Sequence, residues 1–121
     1  MSEFKLTQVS MILLGVRELA PSLAFYRDRL GLTVRNEIPG FAFLDAGPIT
    51  LALSEPVFRA SANSSGAEEV VFAVAHVREA YEGLRAKGVE FTQEPRNVNG
   101  PFWAANFNDP DGHKLSIFGN E

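Results

Sequence analysis

The sequence predicts an α+β domain built from two βαβββ modules, because the same order of strands and helix occurs twice. An apolar strand, an amphipathic helix and three further strands occur in residues 1–55 and again in residues 69–121. Glu18 and His76, at the two strand-to-helix junctions, are 58 positions apart, and so are Met11 and Glu69. Two such modules side by side predict a curved mixed sheet with helices on its convex face and a trough on its concave face.

The first module is predicted to begin with a strand over residues 7–16 and to continue as a helix. Pro21 fits the first turn of that helix and Gly31 its end. Apolar side chains recur at steps of four, three and four, which form one helical face: Leu19, Leu23, Tyr26 and Leu30. Three more strands are predicted over residues 32–38, 41–45 and 48–54.

The second module is predicted to repeat this order after a linker. Residues 56–68 are polar and rich in Ser and Ala, which is typical of a linker with a flexible tip. A strand over 69–75 precedes a helix that Gly88 ends, and its apolar face comprises Val77, Ala80, Tyr81 and Leu84. The remaining strands are predicted over 89–93, 102–107 and 115–118.

A tight turn, Asn108 to His113, precedes the last strand. Pro110 presets φ for the second position of the turn, and the Asp109 carboxylate can accept hydrogen bonds within it. Gly112 can take the positive φ that other residues resist.

The composition restricts the possible functions of the chain. A chain of 121 residues with 45% hydrophobic content can bury a core of its own as a single domain, 1–121. Zero cysteines exclude disulfides, thiol catalysis and thiolate metal ligands. A net charge of −4 without a basic cluster argues against nucleic acid as a partner. The longest apolar run is too short to span a membrane and no secretory signal is evident, so a cytoplasmic protein is expected.

The helices and the tight turn also carry a family resemblance. The run from Val16 to Leu32, centred on Phe25-Tyr26-Arg27-Asp28, and the segments Ala80–Phe91 and Asp109–His113 resemble the vicinal oxygen chelate superfamily. That superfamily contains the glyoxalases, the bleomycin-resistance proteins and the ring-cleaving dioxygenases. The resemblance covers nearly the whole chain and implies the glyoxalase/bleomycin-resistance fold, while fold alone does not imply an activity.

Enzymes of this family hold a divalent metal ion at four inward-facing positions, usually with His, Gln or Glu. The resemblance puts these positions at Met11, Ala52, Glu69 and Ser116. Only Glu69 is a usual ligand, because methionine is soft, alanine has no donor atom and serine is a poor neutral donor. Catalytic metal sites normally need about three protein ligands. We therefore predict neither a metal site nor a cofactor.

Strand alternation predicts which side chains share the trough with these four positions. The same face would carry Val9, Leu13, Thr50, Ser54, Val71, Ala73, Lys114 and Phe118. The helix-facing core would comprise Ile12, Leu14, Leu51, Leu53, Val70, Phe72, Leu115 and Ile117. Phe102, Trp103 and Phe107 would line or rim the trough, although the parity of their strand is left open. The predicted ligand-binding residues are Met11, Ala52, Glu69, Trp103, Ser116 and Phe118, with Trp103 as the stacking residue.

Three single residues allow more than one interpretation. Glu69 could be solvated or paired with a cation such as Arg35, could anchor a cationic or hydrogen-bonding ligand, or could act as a general base. His113 is interpreted as a turn residue that bonds local backbone, and His76 as an exposed residue at a helix start. Neither histidine faces the trough by parity.

These observations favour a metal-free binding protein that resembles the bleomycin-resistance branch. Such a protein would form a homodimer and hold an aromatic or cationic small molecule in an apolar cleft at the interface. The alternative is a glyoxalase-type lyase, isomerase or dioxygenase, with displaced metal ligands or with Glu69 as base. A third possibility is a regulatory domain without a small ligand. Binding is preferred to catalysis because three of the four metal positions carry no usual ligand.

Overall fold

The computed structural model describes residues 9–60 and 68–121, and it contains both predicted modules. The elements of the first are β1 (Met11–Gly15), α1 (Leu19–Leu23), β2 (Val34–Ile38), β3 (Phe41–Ala46) and β4 (Ile49–Ser54). α1 continues without a break into a π-helical segment, Ala24–Arg29. The second module comprises β5 (Glu69–His76), α3 (Val77–Ala86), β6 (Phe91–Asn99), β7 (Phe102–Asn108) and β8 (Lys114–Asn120). The predicted α+β class and the βαβββ order of both modules are confirmed.

The segment between the modules differs from the predicted linker. Its first part, together with Glu55, forms a short helix, α2 (Glu55–Ala60). Residues 61–67 of the predicted linker lie outside the described residues, as do residues 7 and 8 of the predicted first strand. No helix in the described ranges is both long enough and apolar enough to cross a membrane.

Each module builds a four-stranded mixed sheet of its own, and the described strands do not join into one sheet. The strand orders are β1-β4-β3-β2 in sheet A and β5-β8-β7-β6 in sheet B. In both sheets the module's first strand lies at an edge and pairs in parallel with its last strand. The equivalent registers place Leu13 opposite Ala52 and Val71 opposite Ser116. This equivalence supports the internal repeat.

The helix-facing sides of both sheets contribute to one hydrophobic core. Side chains of the predicted core parity are buried in it, namely Leu14, Leu51, Leu53, Leu115 and Ile117. Phe25 of the π-helical segment lies 6.4 Å, between ring centroids, from Phe107 of sheet B. The helix of the first module therefore packs against the sheet of the second. Each sheet consequently turns its other face away from the shared core.

The Asn108–His113 turn joins the two modules as well as reversing the chain. Gly112 takes a φ of 88°, and Asp109 Oδ1 accepts hydrogen bonds from the backbone N–H groups of Asp111 (2.9 Å) and His113 (2.8 Å), as predicted. The Tyr26 hydroxyl of the first module donates to Asp109 Oδ2 at 2.8 Å. His113 Nε2 donates to the carbonyl oxygen of Gly15 at 2.6 Å. His113 thus bonds backbone of the other module, not the local backbone that the sequence suggested.

Helix α2 crosses the end of β1 on the side away from the core. Ser54 Oγ accepts a hydrogen bond from Val57 N (3.1 Å), and Glu55 Oε2 accepts one from Leu19 N (2.9 Å) at the start of α1. A Cβ atom added at Gly15 would lie 2.9 Å from the backbone of Phe58, so only glycine allows this approach. α2 therefore closes one end of the exposed face of sheet A.

Candidate functional site

The candidate site consists of the two sheet faces that point away from the core, here called outer face A (of sheet A) and outer face B (of sheet B). Large apolar side chains are exposed on both faces, with exposed fractions between 38 and 55%. On outer face A these are Met11, Leu13 and Ile38, and on outer face B they are Val71, Phe102 and Phe118. Exposed apolar side chains gathered on particular faces are typical of binding surfaces.

Outer face A is mainly apolar and aromatic. Ala52 lies on the inner strand β4, and it is fully buried between larger neighbours, with Leu13 and Phe43 as its register partners. The Phe43 ring stacks on that of Phe41, with 6.0 Å between centroids and 3° between planes. At one margin of the face, Arg35 Nε pairs with Asp45 Oδ1 at 3.1 Å. Arg35, which the sequence suggested as a partner for Glu69, is thus paired with Asp45 instead.

Outer face B combines polar and aromatic side chains. Ser116 is almost fully buried on the inner strand β8, opposite Val71 on one side and Asn106 on the other. Glu69 is exposed at the start of β5, opposite Lys114. Toward the other end of the face, the rings of Phe102 and Phe118 stack with centroids 5.3 Å apart.

The structure resolves the parity of the strand that carries Trp103. In β7, Ala104 lies opposite Phe118 and Asn106 opposite Ser116, which puts Phe102, Ala104 and Asn106 on outer face B. Trp103 has the opposite parity, packs against the core cluster and lies under the Arg78 guanidinium, 5.5 Å from the ring centroid. Trp103 therefore does not share a face with the other predicted ligand-binding residues. Phe102, which the sequence predicted to line or rim the trough, does lie on outer face B.

The four positions that the family uses for metal ligands are divided between the two sheets. Met11 and Ala52 lie on outer face A, while Glu69 and Ser116 lie on outer face B. The side chains also do not fit a divalent ion, because a single carboxylate accompanies a thioether, a methyl group and a hydroxyl. No group of three or more His, Asp or Glu side chains in the described ranges could hold a metal ion.

Two buried titratable groups with raised pKa values, Asp109 and Tyr26, lie at the module junction. Burial raises the pKa of the Asp109 carboxyl, although hydrogen bonds from Tyr26, His113 and Asp111 act in the opposite direction. Burial also raises the pKa of the Tyr26 hydroxyl, and the charge of Asp109 beside it adds to this effect. Since both groups are enclosed, this pair stabilises the contact between modules and is not available to a ligand.

Two cations on outer face B form a feature that the sequence did not single out. Strand alternation predicts Lys114 in the trough without indicating a role for it, and it does not place Arg96. Both are exposed, and neither makes an ion pair with any described residue. The alternation of β6 could not have placed Arg96, because bulges interrupt its pairing with β7 between Phe91 and Gln93, between Gln93 and Arg96, and between Asn97 and Asn99.

Comparison with known proteins relates this geometry to one superfamily. Residues 8–117 match the family model of the Glyoxalase/Bleomycin resistance protein/Dioxygenase superfamily. A glutathione transferase FosA of Serratia marcescens is 27% identical over 116 residues, which cover 93% of this chain and 80% of that protein.

Solved structures show the same fold. A glyoxalase/bleomycin resistance protein/dioxygenase from Nocardioides superposes with a TM-score of 0.81 at 25% identity, over 98% of this chain and 86% of that one. A lactoylglutathione lyase from Agrobacterium tumefaciens superposes with a TM-score of 0.77 at 19% identity, over 93% of each chain. At that identity the second likeness shows the fold alone.

Proposed function

Because the chain belongs to the glyoxalase/bleomycin resistance protein/dioxygenase superfamily, we propose that it uses the family's fold to bind a small organic molecule without a metal ion. The observation that carries the proposal is the chemistry of the four family positions. Met11, Ala52 and Ser116 supply no usual ligand, and Glu69 alone is insufficient for a catalytic ion. The same faces instead present exposed apolar side chains around two small recessed residues, Ala52 and Ser116. Such surfaces suit enclosure of an aromatic molecule.

The binding cleft requires two copies of the chain. Outer faces A and B belong to two separate sheets that share one core, and in the proposed cleft a second copy of the chain covers each of them. Outer face A of one copy against outer face B of a second copy would cover the exposed apolar side chains of both. A two-fold dimer of this kind contains two equivalent clefts, since the arrangement is repeated by symmetry.

Metal titration tests the metal-free part of the proposal. Untagged protein freed of metal with a chelator is titrated calorimetrically with Mn²⁺, Fe²⁺, Ni²⁺ and Zn²⁺. We expect no stoichiometric binding and no change in thermal midpoint. One ion bound per chain, and lost in Glu69→Gln, would contradict the proposal and favour a metalloenzyme.

The ligand-binding part is tested with a neutral aromatic probe, N-phenyl-1-naphthylamine, whose fluorescence rises in apolar surroundings. We expect saturable binding that Val71→Asp weakens about tenfold, since a carboxylate replaces an apolar contact on outer face B. Ala20→Asp places the same charge at an exposed position of α1 and is the control. Absence of saturable binding, or equal effects of the two substitutions, would refute an apolar site on this face.

An enzyme of the glyoxalase type is the second candidate, and the name of the FosA relative, a glutathione transferase, favours it. The residues at the four family positions do not supply the metal ligands of such an enzyme. A metal-free reaction with Glu69 as base would need that carboxylate in an apolar surrounding, whereas Glu69 is exposed in the single chain. The metal titration separates the metal-dependent form of this candidate from the binding protein.

A further inference from the structure

We propose that the ligand carries an anionic group, which Arg96 and Lys114 hold at one end of outer face B, beside an aromatic part that lies toward Phe102 and Phe118. This inference rests on the proposed function, because it specifies the chemical class of the molecule bound at the same face. It differs from the expectation, drawn from the sequence, that Glu69 anchors a cationic ligand.

The register of sheet B arranges outer face B in rows that cross the strands. One row consists of Val71, Ser116, Asn106 and Gln93. The row toward the start of β5 consists of Glu69, Lys114 and Asn108. The row on the other side consists of Ala73, Phe118, Ala104 and Arg96. Polar side chains therefore occupy the first two of these rows, and Arg96 reaches toward them from the third through its hydrogen bond to Asn106. The Phe102–Phe118 pair lies toward the other end of the face.

A half-open cavity of about 440 Å³ lies at the polar end of the face. Its lining includes both cations together with three amide side chains, those of Gln93, Asn106 and Asn108. Arg96 Nη1 donates a hydrogen bond of 2.7 Å to Asn106 Oδ1, which holds the guanidinium against a neutral group and leaves its charge uncompensated. A guanidinium with free N–H groups is well suited to a carboxylate or phosphonate.

The charge balance of the cavity favours an anion. Neither Arg96 nor Lys114 makes an ion pair with a described residue. Among the described residues that line this cavity Glu69 is the only carboxylate, so two positive charges face one negative charge. The whole chain carries a net charge of −4, so this local excess runs against the average of the molecule. A cation would meet net repulsion here.

The spacing of the rows limits the size of the ligand. Adjacent rows on one face of a strand lie about 7 Å apart, because side chains of the same face are two residues apart. Lys114 and Phe118 are two row spacings apart, which is the distance between an acid group at the first and an aromatic ring at the second. The Arg96 guanidinium bonds Asn106, in the row between them, so an acid group bound there would lie closer to the ring. The ligand is therefore an aromatic carboxylate, sulfonate or phosphonate with one or two rings.

The test compares two fluorescent probes with the same aromatic framework. 8-Anilinonaphthalene-1-sulfonate carries a sulfonate, and N-phenyl-1-naphthylamine lacks it. We expect the wild-type protein to bind the sulfonate at least about fivefold more tightly than the neutral probe, and the difference to shrink as salt is added.

Three substitutions locate the charge effect. Arg96→Gln and Lys114→Gln should each weaken sulfonate binding about fivefold and change neutral-probe binding less than twofold. Glu69→Gln should strengthen sulfonate binding, because it removes the one opposing charge from the cavity. Lys87→Gln is the control, since this lysine borders the apolar cavity of about 320 Å³ on the helix side of sheet B.

The outcomes separate this inference from the function on which it rests. Equal binding of both probes, unaffected by Arg96→Gln and Lys114→Gln, would overturn the anion site and leave an apolar binding face in place. Weakening by Lys87→Gln alone would assign the sulfonate to the helix-side cavity and overturn the inference as well. If neither probe binds, the proposed function itself fails.

Competition then identifies the acid and tests the opposite charge. We expect benzoate or phenylphosphonate to displace the sulfonate probe, and the stronger of the two to indicate a carboxylate or a phosphonate ligand. Benzylamine has the same ring with a positive charge and should not compete. Displacement by benzylamine alone, lost in Glu69→Gln, would overturn the anion site in favour of a cationic ligand.

Discussion

The carboxyl group of Asp109 accepts hydrogen bonds from both modules, although only 5% of the residue is exposed. Oδ2 accepts from the Tyr26 hydroxyl of the first module, and Oδ1 accepts from two backbone N–H groups of its own turn. Removing a buried acceptor of this kind leaves several donors without a partner. The residue that shapes the turn is therefore also part of the contact between modules.

The raised pKa of Asp109 predicts a pH dependence of stability. The folded chain binds this proton more tightly than the unfolded chain, so the stabilisation is complete below about pH 3.9 and is lost as pH rises through the folded-state pKa. In Asp109→Asn the group is neutral at every pH. As pH rises through the folded-state pKa, we expect the free energy of unfolding of the wild type to fall relative to that of Asp109→Asn. The total fall is about 1.4 kcal/mol for each unit by which folding raises the pKa of Asp109.

Urea unfolding of the two proteins between about pH 3.5 and 7 measures this difference, and other carboxylates cancel in the comparison. Parallel stability curves would show that the pKa of Asp109 is the same in both states. If the wild type instead became more stable relative to Asp109→Asn as pH rose, the hydrogen bonds would lower the pKa of Asp109 by more than burial raises it.

The neighbours Phe102 and Trp103 provide a second prediction at this scale, because they lie on opposite faces of one strand. Trp103→Ala should lower the free energy of unfolding by about 2 kcal/mol, since it removes half-buried core packing and the Arg78 contact, and should leave probe binding unchanged. Phe102→Ala should cost less than about 1 kcal/mol and weaken binding of N-phenyl-1-naphthylamine. Urea unfolding and probe titration measure these effects. If Phe102→Ala caused the larger loss of stability and Trp103→Ala weakened probe binding, the parity of β7 would be opposite to the one described.

At the scale of elements, the turns and helix ends follow local rules that the sequence displays. Gly31 and Gly112 take φ values of 83° and 88°, as expected for a helix end and a tight turn. The first helix departs from expectation in its second half, where Leu30 N bonds Phe25 O five residues earlier. The spacing of Leu19, Leu23 and Tyr26 predicts a helix correctly, but it does not distinguish an α-helical turn from a wider one.

The same substitution at two glycines should have opposite effects on stability. A Cβ at Gly112 or at Gly83 would meet no atom within 4 Å, so packing does not distinguish them. Gly112→Ala forces an alanine into a left-handed conformation and should cost about 1 kcal/mol. Gly83→Ala lies inside α3 and should add about 0.5–1 kcal/mol through helix propensity. Thermal and urea unfolding measure the change in stability for both substitutions. If both substitutions stabilised the protein, or both destabilised it, the assigned backbone conformations would be contradicted.

At the scale of the whole molecule, the arrangement of the two sheets determines where a ligand can bind. The helix-facing residues of both modules share one core, and each outer face belongs to its own four-stranded sheet. In the proposed function the two outer faces are half-sites, and a second copy of the chain completes each of them.

Complementary charges test the pairing of outer face A with outer face B. Leu13→Asp and Val71→Arg should each give a monomer, because each places a charge in both equivalent interfaces of the dimer. Mixing the two variants should restore dimers, since one interface then joins opposite charges and the other is wild type. Sedimentation equilibrium measures the three samples.

Two outcomes would contradict this arrangement. Dissociation by Leu13→Asp alone would indicate that outer face A pairs with itself. Dimers in both single variants would place the interface elsewhere, and Ala20→Asp on α1 serves as the control for added charge.

The βαβββ order, the core parity and the poor metal ligands could be predicted without a structure. Strand alternation and helical spacing are local periods, so Leu51, Leu53, Leu115 and Ile117 could be assigned to the core without knowledge of the fold. The poor ligands at Met11, Ala52 and Ser116 follow from side-chain chemistry together with the family resemblance.

Which of these side chains share a face or make contact could not be predicted from local patterns. The face of Trp103 depends on the register of β7 against β8, and that of Arg96 depends on bulges in β6, which are properties of paired strands. The division of the trough depends on how Phe25 and Tyr26 pack against the second module. Contacts between segments distant in sequence are set by packing of the whole core, and no local period encodes them.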